Sequence, residues 1–182
     1  DKTLQYAKSN STIRTVINFL ELVDLKVTKT TIRNKLSSLS NFPDLTLLDI
    51  VNAFEEWKIP NMAFRSNSEF LTEIPFPVIA HLKHNHLYSI GEGTFVVLVN
   101  FDGQEVMLIH PFLGTLKMPI EDFTKRWAGI LLAIDPDELS GEENFIKASQ
   151  EEDAMINSYR NSIKLIDVAL SLPLLVVNVW SE

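Results

Sequence analysis

The chain has 182 residues, 46% of them apolar, enough for one packed core with room for an appended segment. Its 24 acidic residues outnumber 16 basic ones, a net charge of −8, which argues against a nucleic-acid partner and disfavours docking on an anionic membrane surface. It contains no cysteine, which excludes disulfide scaffolds, thiolate zinc sites and cysteine nucleophiles.

The first third has helical spacing. Ile13, Val16, Ile17, Leu20 and Val23 recur on one face of a helix expected to begin near Ser11, with Asn10 or Ser11 placed to cap it. A second helix is expected in "TKTTIRNKLSSL", with Ile32, Leu36 and Leu39 on one side. A third lies in "FPDLTLLDIVNAFEEWKI", capped by Asp44 or Thr46, with Leu47, Ile50, Val51, Phe54 and Trp57 as its buried stripe.

The period then changes. "NMAFRS" reads as a short extended piece and "NSEFLTEI" as one or two helical turns. "FPVIAHL" is a strand with Pro77 at its beginning, where a missing ladder donor is tolerated. "TFVVLVN" and "EVMLIHP" are strands joined by "FDGQ", whose Asp-Gly supplies the positive φ that a tight hairpin needs. "TLKM" continues the sheet after a "PFLG" turn, "PIEDFTKRW" is a helix that opens with Pro119, and "AGILLAI" returns as a strand buried on both faces. Helices first and an antiparallel sheet second is the α+β pattern. The expected domain spans residues 1–134. Residues 135–182 read as an acidic linker, a solvated helix and a tail whose run "IKLIDVALSLPLLVVNVW" is broken by Lys164, Asp167, Pro173 and Asn178.

Several local patterns invite chemistry. His81, His84 and His86 in "HLKHNH" could converge on zinc, but no carboxylate stands in the same segment and a fourth ligand would have to come from elsewhere, so no metal is expected. The acidic pairs Glu55/Glu56, Glu121/Asp122 and Glu142/Glu143 and the run Glu151 to Asp153 hold neighbours that point in different directions, as on a solvated face. Gly91 and Gly93 lack the following helix and the Gly-Lys-Ser/Thr of a phosphate loop, so no nucleotide or other cofactor is expected. Phe54, Trp57, Phe95, Phe123 and Trp127 fall on core faces.

The order "IPFPVIAH", "TFVVLV", "IHP" and "EDFTKRWAGILL" resembles the C39 peptidases, papain-like cysteine proteases best known as leader-cleaving domains of bacteriocin exporters. The likeness implies a papain-like fold, a helical half packed on an antiparallel sheet. It also implies four site positions: a Gln oxyanion donor, a Cys nucleophile at a helix N-terminus, a His base opening a strand, and an Asp before Pro that orients the His. In this chain those slots hold Gln5, Ser11, Thr94 and His110. A Ser hydroxyl needs a base to take its proton, and Thr94 cannot be one. The resemblance therefore implies a degenerate pseudo-peptidase that binds a peptide or protein without cleaving it. The alternative is a peptidase with a non-standard Ser11/His110 pair, which requires the Ser11 hydroxyl to reach an imidazole nitrogen. A third possibility is a purely structural domain.

"KVTKTTIRNKLSS", "FPDLTLLDIVNAFEEWKI" and "AIDPDELSGEENF" are similar to the N-terminal C39-like domain of Bacteroidetes-type fusions with membrane-embedded, vitamin K epoxide reductase-like thiol oxidoreductases. That likeness implies an attached membrane domain, residues 135–182 as the connector toward it, and a place on the cytoplasmic face of a bacterial inner membrane. Without the fusion, a cytoplasmic location is expected.

Overall fold

The computed structural model describes residues 2–25, 27–83 and 93–134, with side chains from Asn10 onward. Helix α1 spans Lys2–Leu22, α2 Lys29–Ser37 and α3 Leu47–Glu56. Strand β1 (Asn61–Arg65) and a 3₁₀ segment (Ser68–Glu73) lead into β2 (Val78–Lys83), β3 (Gly93–Phe101), β4 (Glu105–His110) and β5 (Gly114–Pro119). Helix α4 (Ile120–Arg126) and strand β6 (Trp127–Ile134) complete the described chain. The six strands form one sheet in the order β1-β6-β2-β3-β4-β5, with every neighbouring pair antiparallel. This is the α+β architecture expected from the sequence.

Helix α1 begins well before Ser11, which corrects the expected start. The stretch "KTLQYAKSN" has neither Pro nor Gly and is rich in good helix formers, so nothing stops the helix from extending past Asn10 and Ser11. The helix ends with Asp24 in the left-handed region (φ 56°), while the Leu25 N–H reaches the Leu20 carbonyl (3.0 Å) and the Asp24 N–H that of Glu21 (3.2 Å). These two bonds satisfy carbonyls that the last turn would otherwise leave open. Helix α3 closes the same way: Lys58 has φ 57°, Ile59 N–H bonds the Phe54 carbonyl (2.8 Å) and Lys58 N–H that of Glu55 (2.9 Å).

At its start α3 is capped by Thr46, not Asp44. The Thr46 hydroxyl accepts from the Asp49 N–H (3.2 Å), and the Asp49 carboxylate accepts from the Thr46 N–H (2.7 Å) and hydroxyl (2.7 Å), a reciprocal box. Pro119 sits one position before α4, as the last residue of β5, and Trp127 belongs to β6. The expectation that β6 is buried on both faces holds for Leu131–Ile134 only: Ala128 is exposed and Gly129 and Ile130 are half-buried, because this end borders a cavity.

Two apolar layers cover the sheet. On one face α1, α2 and α3 bring Val16, Phe19, Leu20, Ile32, Leu36, Ile50 and Phe54 onto Ile79, Phe95, Val97 and Leu132. On the other, Leu71 and Phe123 cover Val78, Ala80, Leu82, Val96, Leu98 and Leu131. Alternate residues of β2 and β3 serve opposite layers, as period-two strands must. The acidic linker, solvated helix and tail expected over residues 135–182 lie outside the described residues, as do His84, His86 and Gly91.

Candidate functional site: a cleft between helix α1 and the sheet

Helix α1 docks on the end of β3. The buried Thr15 hydroxyl donates to the Phe95 carbonyl at 2.7 Å. Arg14, next along the helix, donates from Nη1 to the Pro111 carbonyl (3.4 Å) and lies over the Phe112 ring, 5.0 Å from its centroid. Ser11 stands one turn before Thr15 on the same helical face and is buried to 6% exposure. It lies inside α1 and not at a free helix N-terminus, so the first-turn N–H groups that would stabilise an anion are not beside it. Gln5 belongs to the same helix, and its side chain lies outside the described residues.

Thr94 and His110 occupy neighbouring strands. Thr94 stands opposite Leu82 near the start of β3 and is 2% exposed; His110 ends β4 and is 4% exposed. The His110 Nδ1 accepts from the backbone N–H groups of Phe112 (3.2 Å) and Leu113 (3.3 Å). That is the bond pattern of an Asx turn, with imidazole in place of carboxylate. It also fixes the tautomer: an Nδ1 that accepts leaves the proton of the neutral ring on Nε2. The lone pair of His110 is thus spent on holding the β4–β5 turn.

Ser11 and Thr12 line a cavity of about 330 Å³, closed by the α2–α3 loop from Pro43 to Leu47, by His81, Gly93 and Phe95 of β2 and β3, and by Ala128 and Ile130 of β6. Neither Thr94 nor His110 is part of this lining. The imidazole that does face it belongs to His81. Its ring packs on Phe95 with centroids 4.7 Å apart, and burial, followed by the charge of Lys83, holds it below the ordinary histidine range. A Cβ at Gly93 would stand 2.4 Å from His81 Cε1 and Nε2, so the absence of a side chain there lets the ring lie against β3. Sequence reasoning set aside the zinc motif that His81 shares with His84 and His86 and did not place the ring in the cleft. The period-two alternation that puts Ile79 on the α1 face puts His81 there as well, and that was the available signal.

The α2–α3 wall of the cleft is held by the Thr46–Asp49 box, to which Asn41 adds donations to both Asp49 carboxylate oxygens (3.2 Å each). Burial raises the Asp49 carboxyl, but the bonds from Thr46 and Asn41 outweigh it and hold it below its usual range. Among the described residues, no group of three or more His, Asp or Glu side chains is arranged to hold a metal ion, and no helix is long and apolar enough to cross a membrane.

The family model for the Peptidase C39 family matches residues 18–138. The match begins after Ser11, so the assignment of Gln5 and Ser11 to their slots rests on spacing. A curated relative, the lactococcin-G-processing and transport ATP-binding protein LagD of Lactococcus lactis subsp. lactis, is 32% identical over 89 residues, covering 48% of this chain and 12% of that protein's own length. Among solved structures, a double glycine motif protease from an AMS/PCAT transporter in complex with the leader peptide superposes with a TM-score of 0.51 at 25% identity, over 63% of this chain and 76% of that one. The peptidase domain of Streptococcus ComA, a bifunctional ABC transporter, superposes with a TM-score of 0.54 at 14% identity, over 68% of this chain and 88% of that one, a likeness of fold. With most of its described residues inside the family match and its helices and antiparallel sheet superposing on these peptidase domains, the chain belongs to the Peptidase C39 family.

Proposed function

We propose that this domain is a C39 peptidase-like binding module that docks a peptide or protein segment in the α1–sheet cleft without cleaving it. One observation carries the reading against the Ser11/His110 pair: the His110 Nδ1 accepts from the Phe112 and Leu113 N–H groups, which in a neutral ring leaves the proton on Nε2. A general base must offer a lone pair to the nucleophile's hydrogen, and this imidazole has none to offer Ser11. Thr94 at the base's position has no proton-accepting nitrogen, and Ser11 is not at a helix N-terminus that would favour its anion. What remains is a cleft with largely apolar walls, a few hydroxyls, the His81 ring and the Asp44 carboxylate, suited to an extended segment. A similar structure is that of a double glycine motif protease in complex with the leader peptide. The ligand class proposed here is accordingly a peptide with small residues at the point of closest approach.

The module is proposed to serve an attached membrane protein, a thiol oxidoreductase of the vitamin K epoxide reductase type or an exporter, from the cytoplasmic face of a bacterial inner membrane. The likeness of "KVTKTTIRNKLSS" and "AIDPDELSGEENF" supports the first host and the relationship to LagD the second. The coding sequence after Glu182 discriminates: several apolar helices with a Cys-x-x-Cys favour the oxidoreductase, and a nucleotide-binding domain favours the exporter.

The binding claim is tested with the purified chain and an amidated, rhodamine-labelled peptide carrying a Gly-Gly pair and no acidic or histidine residue. Anisotropy is expected to rise with protein concentration while mass spectrometry finds the peptide intact. Cleavage that disappears in Ser11→Ala would establish the Ser11 peptidase instead. Absence of binding would leave the structural-domain reading.

A further inference from the structure

We propose that His81 is the residue with which this cleft grips its peptide, its neutral imidazole hydrogen-bonding a backbone amide of the ligand, and that protonating the ring releases the ligand. The inference rests on the peptide-binding reading and adds the contact and its control.

The ring is held in place from two sides. Phe95 packs against it at 4.7 Å between centroids with the planes tilted by 52°, and the bare Cα of Gly93 gives room to its Cε1–Nε2 edge. Ser11 and Thr12 line the same cavity from α1. A neutral imidazole carries one donor and one acceptor, the same complement as a peptide unit, and the two hydroxyls can do either. An extended backbone passing through the cavity thus meets groups able to satisfy its N–H or C=O, which it must do once buried.

The surroundings decide which charge state the ring keeps. From its own strand Lys83 faces it as a cation; α1 offers Ser11 and Thr12, β3 Gly93 and Phe95, and β6 Ala128 and Ile130, all uncharged. The α2–α3 loop contributes Asp44, the one carboxylate in the lining among the described residues. Burial and Lys83 already favour the neutral ring. A ligand that covers the cavity removes further water from the imidazole and raises the cost of its cationic form. Linkage then requires the reverse: taking up a proton weakens the ligand's hold.

The test uses the whole chain and the labelled Gly-Gly peptide described above, which does not itself titrate near neutrality. Affinity is expected to fall by about threefold or more between about pH 7.5 and about pH 5, while His81→Gln, which keeps a neutral donor and acceptor, loses that dependence. An NMR titration of the wild-type ring reports the same coupling without a variant: saturating peptide should shift the His81 midpoint to lower pH. Affinity that ignores pH, a pH dependence unchanged in His81→Gln, or a midpoint unmoved by bound peptide overturns the inference and leaves peptide binding standing. A peptide that fails to bind at every pH overturns both.

Discussion

The Thr15 hydroxyl and the Phe95 carbonyl, eighty residues apart in sequence, meet at 2.7 Å in the interior and fasten α1 to the strand that carries the cleft floor. The carbonyl belongs to a buried residue, and the helix packs where water would otherwise reach it. Thr15→Val keeps the shape and removes the donor. It should cost about 1–3 kcal/mol, the penalty of a buried acceptor left unpaired, read as a shift in the denaturation midpoint with an unchanged m value.

His110 acts in the β4–β5 turn as an acceptor, so its chemistry can be separated from its size. His110→Asp supplies a carboxylate able to take the Phe112 and Leu113 N–H groups and should remain within about 1 kcal/mol of the parent. His110→Ala removes the acceptor and leaves a void, and should lose about 2–4 kcal/mol. Equal losses in chemical denaturation would show that the turn does not depend on the acceptor.

The Thr46–Asp49 box is a stability device with a pH signature. Thr46→Ala should cost about 1 kcal/mol. In the folded chain the bonds from Thr46 and Asn41 outweigh burial and hold the Asp49 carboxyl below its ordinary range, so the unfolded chain binds its proton more readily. The stabilisation is therefore complete above the unfolded pKa and is lost as pH falls through the folded one. Thermal melts of the parent and Asp49→Asn should differ near neutrality and converge as pH drops below about 4. Convergence on raising the pH would contradict this account.

Lys58 closes α3 with a positive φ of 57°, a conformation that costs a side-chain-bearing residue roughly 1 kcal/mol. Lys58→Gly should accordingly raise stability by about 0.5–1 kcal/mol, measured as an increase in Tm. A decrease would mean that the lysine side chain stabilises the fold by more than its backbone conformation costs.

How much was legible in the sequence differs from feature to feature. The stripe Ile50, Phe54 and Trp57 and the alternation of Val96 and Leu98 against Phe95 and Val97 announced both layers of the core, because burial on one face imposes a period. The Asp102–Gly103 hairpin was equally plain: Gly103 has φ 96°, and Asp102 accepts from the Gln104 and Glu105 N–H groups. The ends of α1 and α3 were not. Their left-handed residues are Asp24 and Lys58, with no glycine to mark them, and the start of α1 has no breaker at all.

The sequence alone determined the elements, the antiparallel sheet, the family likeness and which residues stand at positions 5, 11, 94 and 110, since these depend on local pattern and on residue identity. Only the tertiary structure decided which imidazole faces the cleft. His81 and His110 are equally polar as letters. One lies on the α1 side of β2 above a glycine, and the other spends its lone pair on a turn, and that difference arises from contacts between strands and helices distant in the chain.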